Sequence, residues 1–526
     1  MRNFFIGLFC LTLFSGNVFA APLPEPVKAA LKRAHIPLSS VAVVVQEEDA
    51  AAPLISLNAR QAMNPASTMK LLTTFAALET LGPAYRWKTE AYLDGKLENG
   101  VLQGDLVFKG YGDPKLTVEQ FWMWLREIRQ RGLREIRGDI VLDHSFFEPV
   151  RNDTAEFDHD PTRAYNVGTG ALLLNFNALH LHLIPDGHNT IALLEPSLGG
   201  YTLSNHITTS AKLDCNGEDA YTARLEGRTI LLEGSIPAAC GETDNYFSLL
   251  PQDEYFFAVF SALWQELGGT LQGKLREGSA PADQIPFAKY LSPPLSEVIR
   301  DINKFSNNTM ARQLFLTLGT TETARDASHV SQSAVGLLPA AGTDSLDDFS
   351  SAQVLSETSP DAGQKDEDIA AAELSTPLPV PADVPLPANI AHSTGVMQQW
   401  LKIQQLKFPE LVLENGAGLS RKERISAVHL AELLQRATRS PFYSEMEASL
   451  PILGMDGTVK KRFKNSRLAG YAHLKTGSLQ GVRAIAGYVK ARSGKQWIVV
   501  FIINHPNAAL AQPAQDALIE WLQMGH

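Results

Sequence analysis

The chain has 526 residues, of which 44% are hydrophobic and 20% are charged, and its formal net charge is −11. This composition is typical of a soluble globular protein and excludes wholesale disorder, while the length indicates about two to four domains. An acidic chain without a basic face argues against a nucleic-acid partner, because binding to phosphate needs a surplus of Lys and Arg.

The N-terminal segment, residues 1–20, has the composition of a secretory signal. Arg2 precedes the apolar stretch Phe4–Phe14, and the segment ends in Val18-Phe19-Ala20, with small residues at the two positions that a signal peptidase reads. We predict cleavage after Ala20 and a periplasmic location. The alternative is an uncleaved anchor, but the apolar run is short for a membrane span. The mature protein is expected to be soluble or loosely associated with a membrane surface.

Residues 21–84 begin with a strand and a helix. The apolar run Val41–Val45 is rich in β-branched side chains and predicts the strand. The helix is predicted to begin at Asn64-Pro65-Ala66, with Pro near the first helical position, and to stop at Gly82-Pro83.

Residues 85–287 have a different pattern, in which short β-like runs are separated by Gly, Asp and Asn turns. A mainly β insertion of one or two nested domains is therefore predicted. A helix around Phe121–Arg131 is the clearest exception. The predicted strands include Leu106–Phe108, Ile140–Leu142, Leu179–Leu183 and Thr229–Leu232.

After the insertion, residues 294–318 predict two helical pieces separated by the polar patch Ser306-Asn307-Asn308. The tract 320–391 is acidic and Pro-rich near its end. Such a composition cannot bury enough apolar surface to offset the entropy of ordering, so we predict a disordered, surface-exposed insertion. Ordered sequence is predicted to return with a helix from Gly395 to Leu406. The chain closes with the predicted strands Ile485–Lys490 and Trp497–Asn504 and the predicted helix Gln512–Leu522.

The sequence contains three cysteines, and Cys10 lies inside the predicted signal peptide. Only Cys215 and Cys240 remain in the mature chain, and two cysteines in an oxidising compartment are expected to pair as a structural disulfide. We expect neither cysteine to have a catalytic role.

Ser67 and Lys70 carry a hydroxyl and an amine three residues apart in the first turn of the predicted helix. Both side chains then lie on one helix face, within hydrogen-bonding reach. A lysine kept neutral by desolvation or by a second cation can act as the base that activates a serine nucleophile. The spacing alone is weak evidence, because Ser and Lys at this distance also occur by chance on exposed helices.

Two further motifs follow along the chain. Ser306-Asn307-Asn308 offers a second hydroxyl and a side-chain amide, although the same Ser-x-Asn spacing at Ser15–Asn17 and Ser56–Asn58 needs no more than a turn or a cap to explain it. Lys475-Thr476-Gly477-Ser478 stands before the closing strands. A glycine there allows a substrate backbone to lie close against a sheet edge, and the Lys and Thr could hold a carboxylate.

In this order the three motifs are the signature of penicillin-binding proteins and class A β-lactamases. The mature chain further resembles, over nearly its whole length, the low-molecular-mass class C penicillin-binding proteins, a D-alanyl-D-alanine carboxypeptidase/endopeptidase family of the penicillin-binding protein 4 type. The long β insertion directly after the nucleophile helix also resembles this family. The stretches that carry the resemblance are Asn64–Leu72, Gly110–Pro114, Tyr165–Asn177, Phe305–Gln313, Glu414–Arg421, Gly454–Thr458 and His473–Gln480.

The resemblance implies an α/β (α+β) catalytic domain like those of penicillin-binding proteins and serine β-lactamases. Its parts would be residues 21–84, 288–319 and 392–526, split by the mainly β insertion 85–287. The acidic tract 320–391 is longer than the family pattern needs and lies outside every motif. We expect it to be a solvated loop, with docking of a partner as the alternative.

The resemblance also implies a role for each motif residue. Ser67 would be the nucleophile and Lys70 its base, Ser306 would relay a proton to the leaving amine, and Asn308 would hold Lys70 and the substrate amide. Lys475 would supply a positive charge that favours neutral Lys70. The backbone N–H groups of the first and last motifs would form an oxyanion hole. The implied substrate-binding residues are Thr476, Gly477, Ser478, Arg421, Gln480, Asp160 and Tyr165.

Asp160 and Tyr165 resemble an acidic and aromatic pair that faces the free end of a diaminopimelate side chain, although Asp160 could equally be a solvated surface carboxylate. The expected partners are peptidoglycan peptides and β-lactam inhibitors, and no cofactor or metal is expected. Two alternatives stay open at this point: a serine β-lactamase, which would need a second carboxylate to activate water, and a non-catalytic protein that senses penicillin or binds peptidoglycan.

Overall fold

The computed structural model describes residues 21–149, 155–211, 215, 221–320 and 387–525. The predicted signal peptide, residues 1–20, lies outside the described residues, as does the greater part of the predicted disordered tract, residues 321–386. The described helices are α1 (Glu25–Arg33), α2 (Lys70–Leu81), α3 (Val118–Gln130), α4 (Gln252–Glu266), α5 (Leu295–Phe305), α6 (Asn308–Leu318), α7 (Ile390–Ile403), α8 (Ala427–Thr438), α9 (Tyr443–Ser449) and α10 (Gln512–Gln523).

The strands in the described part of the chain form three larger sheets and one two-stranded ladder. In chain order the described strands are β1 (Val41–Glu47), β2 (Ile55–Leu57), β3 (Ala62–Met63), β4 (Lys88–Glu98), β5 (Val101–Gly110), β6 (Glu135–Ile136), β7 (Ile140–Asp143), β8 (Leu179–Asp186), β9 (Asn189–Glu195), β10 (Thr202–Ser210), β11 (Tyr221–Glu226), β12 (Thr229–Pro237), β13 (Thr243–Phe247), β14 (Thr270–Leu271), β15 (Leu275–Glu277), β16 (Ala288–Leu291), β17 (Ile425–Ser426), β18 (Ala472–Leu479), β19 (Val482–Lys490) and β20 (Gln496–Asn504).

A five-stranded antiparallel sheet, in the order β18-β19-β20-β1-β2, combines strands from both ends of the chain. Because side chains alternate across a strand, Val41, Val43 and Val45 pack with α1 and α10 on one face, whereas Ala42 and Val44 pack towards α2 and α8 on the other. Both faces of β1 are buried, which explains why the run Val41–Val45 is apolar without interruption. The result is a mixed α/β arrangement with helices on both sides of the sheet.

Helices α2, α5 and α6 pack together on the α8 side of this sheet. The break between α5 and α6 falls at Ser306, whose backbone has a left-handed φ of 59° and ends α5. The side chain of Asn307 then caps α6 by accepting a hydrogen bond from the backbone N–H of Met310. The predicted division into two helical pieces is confirmed, and it turns Ser306 out of both helices.

Between Ala91 and Ala288 the buried apolar residues form a cluster of their own, shared by a seven-stranded and a six-stranded sheet. Phe108 on β5 lies near its centre, with its ring edge-on to Phe121 of α3 and Phe256 of α4. The predicted strands and the helix near Phe121 are confirmed. Helix α4 was not predicted: its aromatic residues resemble a strand, but acidic residues in its first turn and apolar residues every three to four positions are helical signals.

The predicted bounds of the disordered tract, residues 320–391, are wrong at both ends, because they include ordered residues. Thr320 is only 4% exposed and Ala388 is fully buried. Ala388 also forms a single β-bridge with Phe147. Helix α7 begins at Ile390, capped by the side chain of Asn389, and not at Gly395. The apolar contacts of Ala388 outweigh the composition of the residues before it.

Cys215 and Cys240 form the predicted disulfide, with their Sγ atoms 2.15 Å apart. None of the helices in the described part of the chain is long and apolar enough to cross a bilayer.

Candidate active site

Ser67 lies in a 3-10 turn, Ala66–Met69, that leads directly into α2, and not in the helix itself. Asn64 holds this turn in place. Its backbone N–H donates to Asn504 Oδ1 (2.8 Å) and its side-chain amide donates to the carbonyl of Ser420 (2.8 Å). The side-chain oxygen of Asn64 in turn accepts a hydrogen bond from the backbone N–H of Ala66 (2.9 Å). The turn is therefore fixed from both the end of β20 and the loop before β17.

Lys70 is fully buried at the start of α2, and its Nζ has three close oxygen neighbours. These are Ser67 Oγ at 3.1 Å, Asn308 Oδ1 at 2.6 Å and the backbone carbonyl of Ala417 at 2.5 Å. Three separate segments of the chain thus meet at one amine, and two of them are motifs predicted from the sequence.

Burial, followed by the positive charges of Lys475 and Arg312, holds the pKa of Lys70 well below the ordinary value for lysine, while Glu423 acts in the opposite direction. Desolvation disfavours the charged amine because the ammonium loses its hydration, and a second cation adds repulsion. These effects favour a neutral Lys70.

A second lysine forms a pair with the second serine. Lys475 lies on the edge strand β18 and is fully buried, and its Nζ donates to Ser306 Oγ (2.8 Å) and to the carbonyl of Thr476 (2.8 Å). Burial lowers the pKa of Lys475 to about 7. This amine therefore changes charge near neutral pH.

Two glycines allow backbone segments to approach Ser67 closely. A Cβ on Gly477 would lie 2.6 Å from the carbonyl of Pro65 and 3.0 Å from the backbone nitrogen of Ser67. Gly418 has a φ of +76°, and a Cβ there would lie 2.0 Å from the carbonyl of Ala66. Strand β18 and the loop before β17 thus pack directly against the turn that carries Ser67.

Of the predicted substrate-binding residues, several meet at the end of β18. Thr476 donates its hydroxyl proton to Thr458 (2.7 Å), and Arg421 donates to the carbonyl of Gln480 (3.0 Å). Ser478 is exposed and accepts a hydrogen bond from Arg483 (3.1 Å).

Asp160 and Tyr165 lie in one solvent-facing network that also contains Asp158 and Arg163. Asp160 accepts from Arg163 Nε (2.8 Å), whereas the hydroxyl of Tyr165 donates to Asp158 (2.5 Å). The acidic partner of the tyrosine is therefore Asp158. Phe157, on the same loop, lies under the guanidinium of Arg421 at 4.7 Å. This loop consequently borders the exposed end of the site.

The sequence profile of the D-Ala-D-Ala carboxypeptidase 3 (S13) family matches residues 23–345 and 378–524. The chain belongs to this family. The S13 chain is 27% identical to a D-alanyl-D-alanine carboxypeptidase of Actinomadura sp. over 515 residues, covering 94% of this chain and 83% of that relative. It is 23% identical to the D-alanyl-D-alanine carboxypeptidase DacB of Haemophilus influenzae, covering 84% of this chain and 80% of the relative. The family resemblance predicted from the motifs is confirmed.

Solved structures show the same fold. The crystal structure of penicillin-binding protein 4 from H. influenzae matches the S13 chain with a TM-score of 0.66 and 21% identity, covering 94% of this chain and 99% of that one. A second structure of that protein, complexed with a β-lactam, matches with a TM-score of 0.64 and 21% identity, covering 95% of this chain and 100% of that one. The predicted fold class is confirmed.

Two charged residues of the S13 chain beside Lys70 were not predicted from the sequence. Arg312 lies one helical turn after Asn308, so the (i, i+4) spacing alone could have suggested a shared face. Glu423 lies two residues beyond the family-like stretch that ends at Arg421. No local pattern marks it as buried, because its surroundings are created by a loop folding back on it.

Proposed function

We propose that this protein is a serine-type D-alanyl-D-alanine carboxypeptidase, with DD-endopeptidase activity, that cleaves peptidoglycan stem peptides and cross-links through an acyl-enzyme. The observation that carries the proposal is the buried Lys70 amine, 3.1 Å from Ser67 Oγ and held by Asn308 and Ala417. Membership of a family described as D-Ala-D-Ala carboxypeptidases supports the choice of substrate.

The contacts of Lys70 suggest how the nucleophile is activated. A neutral amine has two N–H donors and one lone pair. The two N–H groups are matched by the oxygens of Asn308 and Ala417, which leaves the lone pair for the hydroxyl proton of Ser67. Ser67 Oγ then attacks the carbonyl carbon of the penultimate D-Ala while its proton passes to Lys70 Nζ.

The pair Lys475 and Ser306 is suited to the second half of acylation. When the tetrahedral intermediate collapses, the bond to the terminal D-Ala nitrogen breaks and that amine needs a proton. Ser306 would pass its hydroxyl proton to the amine and be reprotonated through Lys475, to which it is hydrogen-bonded at 2.8 Å. Water then attacks the Ser67 ester and passes one proton to Lys475, which replaces the proton that this lysine gave up, while Lys70 returns its proton to Ser67 Oγ as the product acid leaves.

The oxyanion would be stabilised by the backbone N–H groups of Ser67 and Ser478, for which the close packing of Gly477 against the Ser67 turn gives support. Thr476 would hold the terminal carboxylate, helped by the positive charge of Lys475. Further out, Arg421 and Gln480 would contact the stem peptide.

Asp160 and Tyr165 would face the free end of a diaminopimelate side chain, with Asp158 and Arg163 holding them in place. Residues 1–20 would direct export to the periplasm, where these substrates occur. Because β-lactams resemble the substrate and acylate the same serine, the protein should also be inhibited covalently by them.

The test is covalent labelling with a fluorescent penicillin together with D-Ala release from a muropeptide. Ser67→Ala should abolish both without unfolding the protein, since Ser67 is only half-buried and the change removes a single oxygen atom. Ser279→Ala, an exposed serine of the insertion, is the matched control and should behave as the wild type. Persistent stoichiometric labelling of Ser67→Ala would refute the proposal. Rapid loss of the label without D-Ala release would instead indicate a β-lactamase, and labelling without turnover a sensor.

A further inference from the structure

Glu423 is a fully buried carboxylate that the acylation mechanism above does not use. One of its oxygens, Oε1, accepts hydrogen bonds from three consecutive backbone N–H groups, those of Glu414 (3.1 Å), Asn415 (3.0 Å) and Gly416 (3.1 Å). The other oxygen, Oε2, is buried and has no hydrogen-bond partner among the described residues. Three N–H dipoles converging on one oxygen favour the ionised carboxylate.

The segment held by Glu423, residues 414–418, forms one wall of the Lys70 site. Its Ala417 carbonyl accepts from Lys70 Nζ (2.5 Å), and its Gly416 carbonyl accepts from the hydroxyl of Thr73, one turn further along α2 (2.6 Å). Gly418 packs against the carbonyl of Ala66. If Glu423 no longer bound this segment, the Ala417 carbonyl, which accepts a hydrogen bond from Lys70, would therefore be displaced.

Charge at Lys70 also depends on Glu423. The charged side chains that act on Lys70 are Lys475 of β18, Arg312 of α6 and Glu423, and among these three only Glu423 is negative. Arg312 is in turn influenced by Glu423 and Glu414 and donates to the carbonyl of Val167 (3.0 Å). Burial raises the pKa of Glu423, while the three backbone N–H groups and Lys70 act against that rise.

We propose that Glu423 is a positioning residue for acylation, which fixes the 414–418 segment against Lys70 and offsets the positive charges of Arg312 and Lys475. This rests on the proposed function, because it assumes that Lys70 is the base for Ser67. Glu423 is not itself a base for water, since its side chain has no exposed surface. Its role is to set the pH at which Lys70 becomes neutral.

The test is the rate of acylation by a fluorescent penicillin as a function of pH. The rate rises with pH as Lys70 loses its proton, so the acid limb reports the pKa of Lys70. Removing the negative charge in Glu423→Gln disfavours the protonated amine, so the limb should move to lower pH. We expect a displacement of about one pH unit, or about a tenfold gain on the acid side relative to the plateau of the same variant.

Further variants change Arg312 alone, Arg312 together with Glu423, and the length of the side chain at position 423. Arg312→Gln removes a cation and should move the limb to higher pH, and Glu423→Gln with Arg312→Gln should return it close to the wild type. Glu423→Asp keeps the charge but cannot reach all three N–H groups, so its plateau should fall while its limb stays near the wild-type position. Glu432→Gln, which removes an exposed carboxylate from α8, is the matched control and should change neither.

If the acid limb of the acylation rate in Glu423→Gln lies at the same pH as in the wild type, the inference is wrong, whatever happens to the plateau. If that variant does not fold, Glu423→Asp supplies the test instead, because an unchanged plateau in that variant would also overturn the inference. Failure of the proposed function is a separate result, because the wild type would then show no acylation at any pH.

Discussion

Two hydrogen bonds of equal length show how differently charge behaves in two regions of this molecule. The fully buried Lys475 has its Nζ 2.8 Å from Ser306 Oγ, whereas Arg163 Nε lies 2.8 Å from Asp160 on a loop where the arginine side chain is 52% exposed. In the buried pair, the charge has lost its hydration. In the exposed pair, water and salt screen most of the attraction.

The environment of the buried pair changes the pKa of its amine, whereas the exposed pair only helps to hold the conformation of its loop. Burial lowers the pKa of both Lys70 and Lys475, that of Lys475 to about 7, so both amines give up a proton more readily than an exposed lysine does. In the exposed network, hydrogen bonds from Thr162 and then Arg163 lower the pKa of Asp160, which leaves that carboxylate ionised as it would be in water. Contact distance alone therefore does not indicate which charges matter for catalysis.

The largest effect is expected for Lys475→Ala. Removing the cation raises the pKa of Lys70, so less neutral base is present at a given pH and the acid limb of acylation should move to higher pH. The loss should be greatest below about pH 7, where Lys475 is protonated, and should reach orders of magnitude. Acylation rates across pH measure this. Superimposable profiles would mean that Lys475 does not act on Lys70, and the buried pair would then be no more active than the exposed one.

A smaller effect is expected for Asn308→Ala, which removes one acceptor of Lys70 and leaves its lone pair free to turn away from Ser67. We expect acylation to fall by about a hundredfold. The adjacent Asn307→Ala is the control: it removes the cap of α6 and should cost about 1 kcal/mol of unfolding free energy with little effect on the rate constant. Equal losses of rate in both variants would indicate general damage to α6.

Burial of Lys70 should also make stability depend on pH. The unfolded lysine keeps its proton up to about pH 10, whereas the folded one loses it earlier, so in the window between the two pKa values the unfolded state binds more protons. Lys70 should therefore contribute a rise in stability with pH there of at most about 1.4 kcal/mol per pH unit, in addition to the rise from Lys475. Lys70→Met should lose the contribution of Lys70 and keep that of Lys475. Unfolding of both proteins from about pH 7 to about pH 9 measures it, and parallel curves would argue against a depressed pKa.

The smallest effect is expected in the exposed network. Arg163→Gln should change the unfolding free energy by less than about 1 kcal/mol, because both of its ion pairs are open to solvent. Penicillin acylation should stay within about twofold of the wild type. KM for a muropeptide with a free diaminopimelate end should rise if the network positions Asp160 and Tyr165. A large fall in penicillin acylation would show that this loop supports the buried site directly.

Much of the site follows from local sequence. The turn and helix that carry Ser67 and Lys70 lie between Pro65 and Gly82, and the break before α6 is marked by the polar patch Ser306-Asn307-Asn308, in which Asn307 is the helix cap. The order of the three motifs along the chain was enough to predict the family, the fold class and which motifs meet around one amine.

The features that were missed depend on long-range packing. The aromatic face of α4 is compatible with strand or helix until the core around Phe108 is assembled. Ala388 belongs by composition to an acidic tract, but it is buried beside Phe147. Glu423 acquires its three backbone donors only when the segment before it folds back. Such contacts leave no periodicity in the sequence from which they could be predicted.

The pairing of β1 with β20 has a consequence for how this protein reaches its native state. The backbone of the Ser67 turn is tied to β20 through Asn64 and Asn504, residues 440 positions apart in sequence. During synthesis the segment with Ser67 is made early, but the five-stranded sheet cannot be completed until its last strand, β20, has been made. Contacts of such long range are slow to form. A chain cut before Gln496 would retain all three motifs and have no penicillin reactivity.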